Sequence, residues 1–236
     1  MVPWTGAVLI LLVSVFRRDQ RRRWHDLTTV IGYAVYVMVG TQLHVLLVRT
    51  VTRPYDATFL RADALLRFNA LAFADAASHH GLLMVVLILA YVSVPAMIGL
   101  AWVLEQDCVM RRAVLLGGCS CFLFYAIFPA VGPGHFDWVR QMPEASTPYN
   151  CMPSMHLTWS LLIAINARSR WLQAGLWVYA GLIAIATLAL REHYLVDLLA
   201  AAPYTLAVQW LARRPVPREW LARVNKVERG SPKVQF

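Results

Sequence analysis

Charged residues are scarce in this chain. Asp, Glu, Lys and Arg make up only 15% of its 236 residues, whereas hydrophobic residues make up 59%. A soluble domain carries about 25% charged residues, so this composition excludes an ordinary soluble globular domain. It predicts an integral membrane protein.

The chain also lacks the residue patterns of common metal sites and disulfide scaffolds. It has no HExxH or CxxC pattern and no Asp-rich pair. Of its four cysteines, Cys119 and Cys121 fall within an apolar run and Cys108 in a short loop, which leaves Cys151 without a partner on its side of the membrane. We therefore expect no disulfide framework, no metal ion and no cofactor.

Basic residues outnumber acidic ones, which gives a formal net charge of +9. They are scattered between apolar runs and form no patch with interleaved aromatic residues, so we expect no nucleic-acid partner. Scattered basic residues beside apolar runs are instead typical of signals that set membrane topology.

A helix needs about 20 apolar residues to span a bilayer. Apolar runs of roughly this length or somewhat shorter occur along most of the chain. We identify segments at 4–16, 27–48, 81–104, 113–131, 154–167, 172–190 and 194–212. The first is short and is followed by its positive charges, which favours a retained anchor over a cleaved signal peptide. The predicted fold is an all-α, polytopic transmembrane bundle of six core helices, or of seven if the first segment also spans. Residues 1–212 form one transmembrane domain, and 213–236 form a basic cytoplasmic tail.

The distribution of basic residues predicts the orientation of this bundle. Most of the 22 Lys and Arg residues fall at 17–23, 111–112, 168–170 and 213–233, and the positive-inside rule assigns these to the cytoplasm. The protein is then a multi-pass protein of the plasma or inner membrane. Residues 49–80 and the polar motifs described next face the extracytoplasmic side. We expect one or two short interfacial helices, or a packed loop, between residues 49 and 80.

Two polar motifs border the apolar segments: Pro153-Ser154-Met155-His156 and His193-Tyr-Leu-Val-Asp197. His193 and Asp197 are four residues apart, so a helix places them on one face, where the carboxylate can hold one ring nitrogen and leave the other free to attack. We expect Ser154 to cap a helix that carries His156 and whose free N–H groups can receive an anion. Together these groups suit phosphoryl transfer through a phosphohistidine. The alternative is an interfacial histidine and a structural His/Asp ion pair.

These motifs resemble those of the type 2 phosphatidic acid phosphatase superfamily of membrane enzymes, over about residues 80–212. The Pro-Ser-x-His motif is similar to 153–156, and the His-x-x-x-Asp motif to 193–197. The Phe128-Pro-Ala-Val-Gly-Pro133 loop and the His-Tyr-x-Val-Asp form of the second motif most resemble the inositol phosphorylceramide synthase branch.

The resemblance implies a lipid phosphatase or phosphotransferase that needs no metal. His193 would be the nucleophile, Asp197 would orient it, and His156 would protonate the leaving oxygen and later activate the acceptor. Ser154 and the N–H groups at the start of its helix would hold the non-bridging oxygens. The substrate would be a lipid phosphate or phosphodiester within the surrounding membrane lipids.

The chain departs from the phosphatase branch in its basic residues. That branch has Lys, six residues, then Arg-Pro; Arg53-Pro54 matches the end, but Leu46 occupies the Lys position. Thr187 occupies the position of an Arg six residues before the second histidine, although Arg191 lies two before it. We assign Arg53 and Arg191 as candidate phosphate-binding residues, with interfacial anchoring as the alternative.

Two other function classes remain open. One is a transporter or channel whose membrane histidines relay protons, for which His44 is the candidate. The other is a non-catalytic lipid-binding protein, which the combination of two histidines and a carboxylate disfavours.

Overall fold

A computed structural model of the chain describes residues 54–105, 108–135 and 150–215, together with short runs between 30 and 46. Side chains are described for these residues except at 102–105 and 108. The predicted segment at 4–16, Arg53, His44 and most of the predicted tail lie outside the described residues. The described residues between 30 and 46 are helical, in agreement with part of the segment predicted at 27–48.

The described residues from 54 onwards form helices and no strand. The helices are α1 (Asp56–Leu65), α2 (Ala70–Ser78), α3 (Gly81–Glu105), α4 (Cys108–Ile127), α5 (Met155–Asn166), α6 (Arg170–Ala189) and α7 (Leu195–Arg213). The all-α prediction is therefore confirmed. Helices α1 and α2 occupy the stretch for which sequence left short helices and a packed loop as alternatives.

Four of these helices are long and apolar enough to cross a membrane: Gly81–Ala101 within α3, Val109–Ile127 within α4, α6 and α7. Helix α5 is apolar but has only 12 residues. Leucines on the outer faces are open to the surroundings, including Leu89 at 60% and Leu123 at 67% exposure, as expected for a lipid-facing surface. These features indicate a membrane protein. The prediction of six core helices is not confirmed, because the described residues contain four such spans and the shorter α5.

Helix α5 lies at the centre of the bundle and contacts α3, α4, α6 and α7. Small buried residues line these contacts, among them Ala164, Ala180 and Ala201, and they allow the helix backbones to approach closely. At the far end of α5 the amides of Asn166 and Gln209 exchange two hydrogen bonds of 2.9 and 2.8 Å. These bonds join α5 to α7.

Successive helices run in opposite directions, and the two polar motifs therefore lie at the same end of the bundle. Helices α3, α5 and α7 begin at this end, and α4 and α6 finish there. Helix α1 packs on the start of α7, and α2 packs on α3 and α6. A small apolar cluster of Phe59, Ala130, Cys151 and Tyr194 joins α1 to the loops of this end.

Candidate active site

His193 and Asp197 form a buried pair at the start of α7. Their side chains are 5% and 0% exposed, and the Nδ1 atom of His193 lies 3.4 Å from Oδ2 of Asp197. Asp197 also accepts the backbone N–H of Tyr194 at 3.0 Å, so the carboxylate is fixed against the residue that follows the histidine. With Nδ1 directed at Asp197, Nε2 is the ring nitrogen left on the opposite side.

His156 lies one residue into α5, and its ring centre is 6.4 Å from that of His193. The ring of Tyr91, from α3, stacks on it with centroids 4.1 Å apart and planes inclined by 19°. Helices α3 and α5 and the segment before α7 thus contribute to the two-histidine arrangement. Stacking restricts rotation of the His156 ring, which holds its nitrogens in a defined direction.

The start of α5 provides polar groups without protein partners. Ser154 is the N-cap residue, as predicted, but its side chain makes no capping hydrogen bond. Its hydroxyl and that of Thr158, one turn further along, are both fully buried and have no hydrogen-bond partner. The backbone N–H of Ser154 points to the carbonyl of Asp197 at 3.4 Å. An anion beside this helix start would find unpaired donors next to the His193–Asp197 pair.

The start of α7, by contrast, is already occupied by a carboxylate. Asp63 of α1 is 1% exposed and accepts the N–H groups of Leu195 and Val196, each at 2.9 Å. Burial raises the pKa of Asp63, and the two N–H hydrogen bonds oppose that rise. Asp63 therefore fixes the segment that separates His193 from Asp197, and it leaves α5 as the helix start available to a substrate anion.

A second carboxylate of α1 holds the loop that follows α4. Asp56 is fully buried and accepts the N–H groups of Val131 and Gly132 and the hydroxyl of Tyr194, the last at 2.8 Å. Burial raises the pKa of Asp56, while these hydrogen bonds lower it. Burial also raises the pKa of Tyr194, so its phenol stays protonated and donates. The Asp56 side chain thus joins the loop to Tyr194, which lies between His193 and Asp197 in the sequence.

Gly132 allows this loop to approach the turn before His193. Its φ is +93°, and a Cβ there would collide with the carbonyl oxygen of Glu192. That turn is itself unusual, because Arg191 adopts a left-handed φ of 62°. The N–H of Gly134 donates to the Arg191 carbonyl at 2.9 Å. The loop that contains Gly132 and Gly134 therefore packs against the turn that precedes His193 and helps to fix its position.

The guanidinium of Arg191 pairs with the carboxylate of Asp75 on α2. Both side chains are substantially exposed, at 44% and 62%. This pair ties the turn before His193 to α2. It also means that a phosphate contact by Arg191 would require the guanidinium to share or exchange its carboxylate partner.

Cys151 lies beside the His193–Asp197 pair, which we call the dyad. Its S–H donates to the carbonyl of Glu192 at 3.2 Å, and burial raises the pKa of the thiol well above its usual value. Its sulfur and one donor atom each from His193 and Asp197 all lie within 4.8 Å of one another. Sequence patterns miss this cluster because Cys151 and His193 are far apart in the chain.

The family comparison covers most of the described bundle. The model of the PAP2 superfamily matches residues 57–211. The chain belongs to the PAP2 superfamily. No curated protein and no solved structure matches it.

PAP2 membership indicates a phosphatase that acts on phosphorylated, lipid-like substrates. The match begins within α1, whereas the motifs led us to expect the resemblance to begin at about residue 80. Helices α1 and α2 are therefore part of the PAP2 region. The comparison does not distinguish the inositol phosphorylceramide synthase branch from others.

The PAP2 fold of this chain brings together most of the residues that sequence singled out. His156, His193, Asp197 and Ser154 meet at one end of the bundle, and Arg191 is in the turn that precedes His193. Arg53 lies outside the described residues. Sequence reasoning missed four residues that shape this end: Asp56, Asp63, Tyr91 and Thr158. For the first two a signal existed, since Asp residues seven apart share one face of a helix.

Proposed function

We propose that this protein is a membrane phosphatase or phosphotransferase that cleaves phosphate esters of lipids through a phosphohistidine on His193. The observation that carries the proposal is the placement of His193 between Asp197, at 3.4 Å, and His156, at 6.4 Å between ring centres. Nucleophilic attack and proton transfer each operate over about 3 Å, so one phosphoryl group can bridge the two rings.

In the first step Nε2 of His193 attacks phosphorus while the bond from phosphorus to the lipid oxygen breaks. His156 gives its proton to the departing oxygen, and Asp197 stabilises the charge that develops on the His193 ring. In the second step the now neutral His156 takes a proton from water or from a hydroxyl of an acceptor lipid. That oxygen attacks phosphorus, the bond to Nε2 breaks, and both histidines return to their starting state.

The start of α5 is suited to bind the non-bridging phosphate oxygens. The unpaired hydroxyl of Ser154 and the first N–H groups of α5 are donors at the end of the helix where its dipole is positive. Arg191 is a second candidate for this role, and Arg53 remains one from sequence alone. This chemistry uses side chains and backbone N–H groups, so we propose that turnover requires no metal ion and no cofactor.

We propose that the site faces the extracytoplasmic side. The opposite end of the bundle carries a group of arginines that includes Arg111, Arg112, Arg168, Arg170 and Arg213, and basic ends face the cytoplasm. The same positive-inside rule places the basic tail in the cytoplasm. From the apolar runs of the sequence we also propose a bundle of six core helices. The sequence of the loop at 128–133 supports an inositol phosphorylceramide synthase-like enzyme as the more specific form of the proposal.

A proton-relaying transporter is less well supported. In the four described spans the charged residues lie close to helix ends, at Arg111, Arg112, Arg170, Asp197 and Arg213. A relay would need ionisable groups along the middle of a span. The pairing of both histidines at one end favours a local chemical step.

The deciding experiment measures product release from a panel of lipid phosphates and phosphodiesters by the detergent-purified protein in EDTA, with and without hydroxyl acceptors. We expect turnover in EDTA, an acid-labile phosphoprotein, and the loss of both in His193→Ala. His80→Gln, which changes an exposed histidine before α3, is the matched control. No turnover with any lipid, or equal turnover in His193→Ala, would contradict the proposal and favour lipid binding or transport.

A further inference from the structure

The donor atoms beside the nucleophile match the ligands of a borderline transition metal. Cys151, His193 and Asp197 are all buried, with donor atoms within 4.8 Å of one another. Thiolate, imidazole and carboxylate together favour Zn²⁺ over Mg²⁺ or Ca²⁺, which prefer oxygen ligands.

The distance between the dyad atoms fits this ligand set. Nδ1 of His193 and Oδ2 of Asp197 are 3.4 Å apart, longer than the usual hydrogen bond of about 2.7 to 3.2 Å. Two ligands of one tetrahedral zinc ion, each about 2.0 Å from the metal, lie about 3.3 Å apart.

Unpaired atoms give a second, independent indication. Oδ1 of Asp197, in a residue that is 0% exposed, is buried without a hydrogen-bond partner, and Nδ1 of His193 has only the 3.4 Å contact with Oδ2 of Asp197. Such atoms are costly unless something pairs with them. A divalent cation would pair with them, and the charges of a Cys151 thiolate and the Asp197 carboxylate together neutralise it.

We propose that Cys151, His193 and Asp197 form a zinc-binding site that inhibits this enzyme. Zinc would replace the proton of the Cys151 thiol, which would pass to solvent, and the proton of the neutral His193 ring would move from Nδ1 to Nε2. Nε2 would then carry a proton and could not attack phosphorus, and Asp197 would coordinate the metal instead of stabilising charge on the His193 ring. The inhibition rests on the proposed function, whereas zinc binding itself does not.

Binding is tested on the purified chain with Co²⁺ as a spectroscopic substitute and with Zn²⁺ for stoichiometry. We expect about one zinc per chain and a thiolate-to-cobalt absorption band that Zn²⁺ removes. Both should disappear in Cys151→Ser and Cys151→Ala. They should persist in the double variant Cys119→Ser/Cys121→Ser, which removes two other free cysteines. A band that is absent from the wild type, or retained in folded Cys151 variants, overturns the site.

Inhibition is tested on lipid phosphate hydrolysis, with each variant compared with its own rate in EDTA. We expect zinc to inhibit the wild type and the Cys119/Cys121 double variant alike, and EDTA to reverse the effect. In Cys151→Ser the zinc concentration for half inhibition should rise at least tenfold. Equal sensitivity in Cys151→Ser overturns the inhibitory role. If no lipid is turned over, the proposed function fails, and the cobalt band still decides whether the metal site exists.

Discussion

The carboxylate of Asp63 accepts the backbone N–H groups of Leu195 and Val196, each at 2.9 Å. A side chain of α1 thereby completes the start of α7, between His193 and Asp197. The two N–H groups are among those that a helix start leaves unpaired, so the position of His193, the proposed nucleophile, depends on a residue distant in sequence.

Replacement of Asp63 should affect catalysis more than substrate binding. Asp63→Ala leaves two donors unsatisfied, at about 1 to 3 kcal/mol each, and loosens the segment that holds the dyad. We expect kcat to fall at least tenfold while KM changes little. Asp63→Glu should recover part of the rate if its carboxylate reaches the same N–H groups. Arg61→Gln, on the exposed side of α1, is the control. A loss of folded protein with full kcat in the remainder would show a purely structural role.

Gly132→Ala should disturb the turn before His193. The added Cβ meets the Glu192 carbonyl, and φ of +93° is unfavourable for alanine. We expect a lower midpoint of thermal unfolding and a kcat reduced at least tenfold. Gly181→Ala is a matched control, because a Cβ there meets nothing within 4 Å and alanine favours a helix. Equal behaviour of the two variants would contradict close packing of the loop on the turn.

The stacking of Tyr91 on His156 gives a further prediction. Tyr91→Phe keeps the ring that lies 4.1 Å from the histidine, so we expect kcat close to that of the wild type. Tyr91→Leu removes the stack, worth about 1 kcal/mol, and we expect a rate about fivefold lower. Product release under single-turnover conditions measures the effect on the phosphoryl-transfer step. A large defect in Tyr91→Phe would instead assign a role to the hydroxyl.

The pair of Arg191 and Asp75 tests whether the arginine binds phosphate. If it does, Arg191→Gln raises KM severalfold, and Asp75→Asn lowers KM because it frees the guanidinium. Steady-state kinetics with one lipid phosphate distinguishes these outcomes. Unchanged KM in both variants would leave Arg191 as an interfacial anchor. Asp75→Asn also reports whether the tie between α2 and the turn matters for folding.

A stability prediction concerns the amide pair at the far end of α5. Asn166 and Gln209 exchange two hydrogen bonds, and hydrogen bonds between membrane helices contribute about 0.6 kcal/mol each on average. A double-mutant cycle with Asn166→Ala and Gln209→Ala should give a coupling of about 1 kcal/mol in the free energy of unfolding. Activity per folded molecule should be unchanged. Strict additivity would show that the two amides act independently.

Local patterns predicted much of the fold because membrane helices are set by runs of apolar residues. The segments expected at 81–104 and 172–190 appear as α3 and α6. The pairing of His193 with Asp197 also followed from a four-residue spacing, although His193 precedes α7 rather than lying on it. The N-cap position of Ser154 was correct, whereas the expected capping bond is absent.

Contacts between distant parts of the chain could not be obtained in this way. Asp56 and Asp63 are buried because their partners come from loops and from the start of α7, 75 to 138 residues later. Along α1 alone the charges surround the helix, which conceals the shared face of these two residues. Cys151 was expected to lack a partner, and only the folded chain brings it to His193 and Asp197.

The order of these contacts along the chain also determines when the site can form during synthesis. Asp56 is translated before any of the four described spans, yet its partner Tyr194 follows α6. A nascent chain that ends with α6 already has Val131 and Gly132 but still lacks His193 and the later partners of α1, which are Tyr194, Leu195 and Val196. His193 therefore becomes positioned only when α7 enters the membrane, so a chain in which α7 has not inserted carries no assembled candidate site.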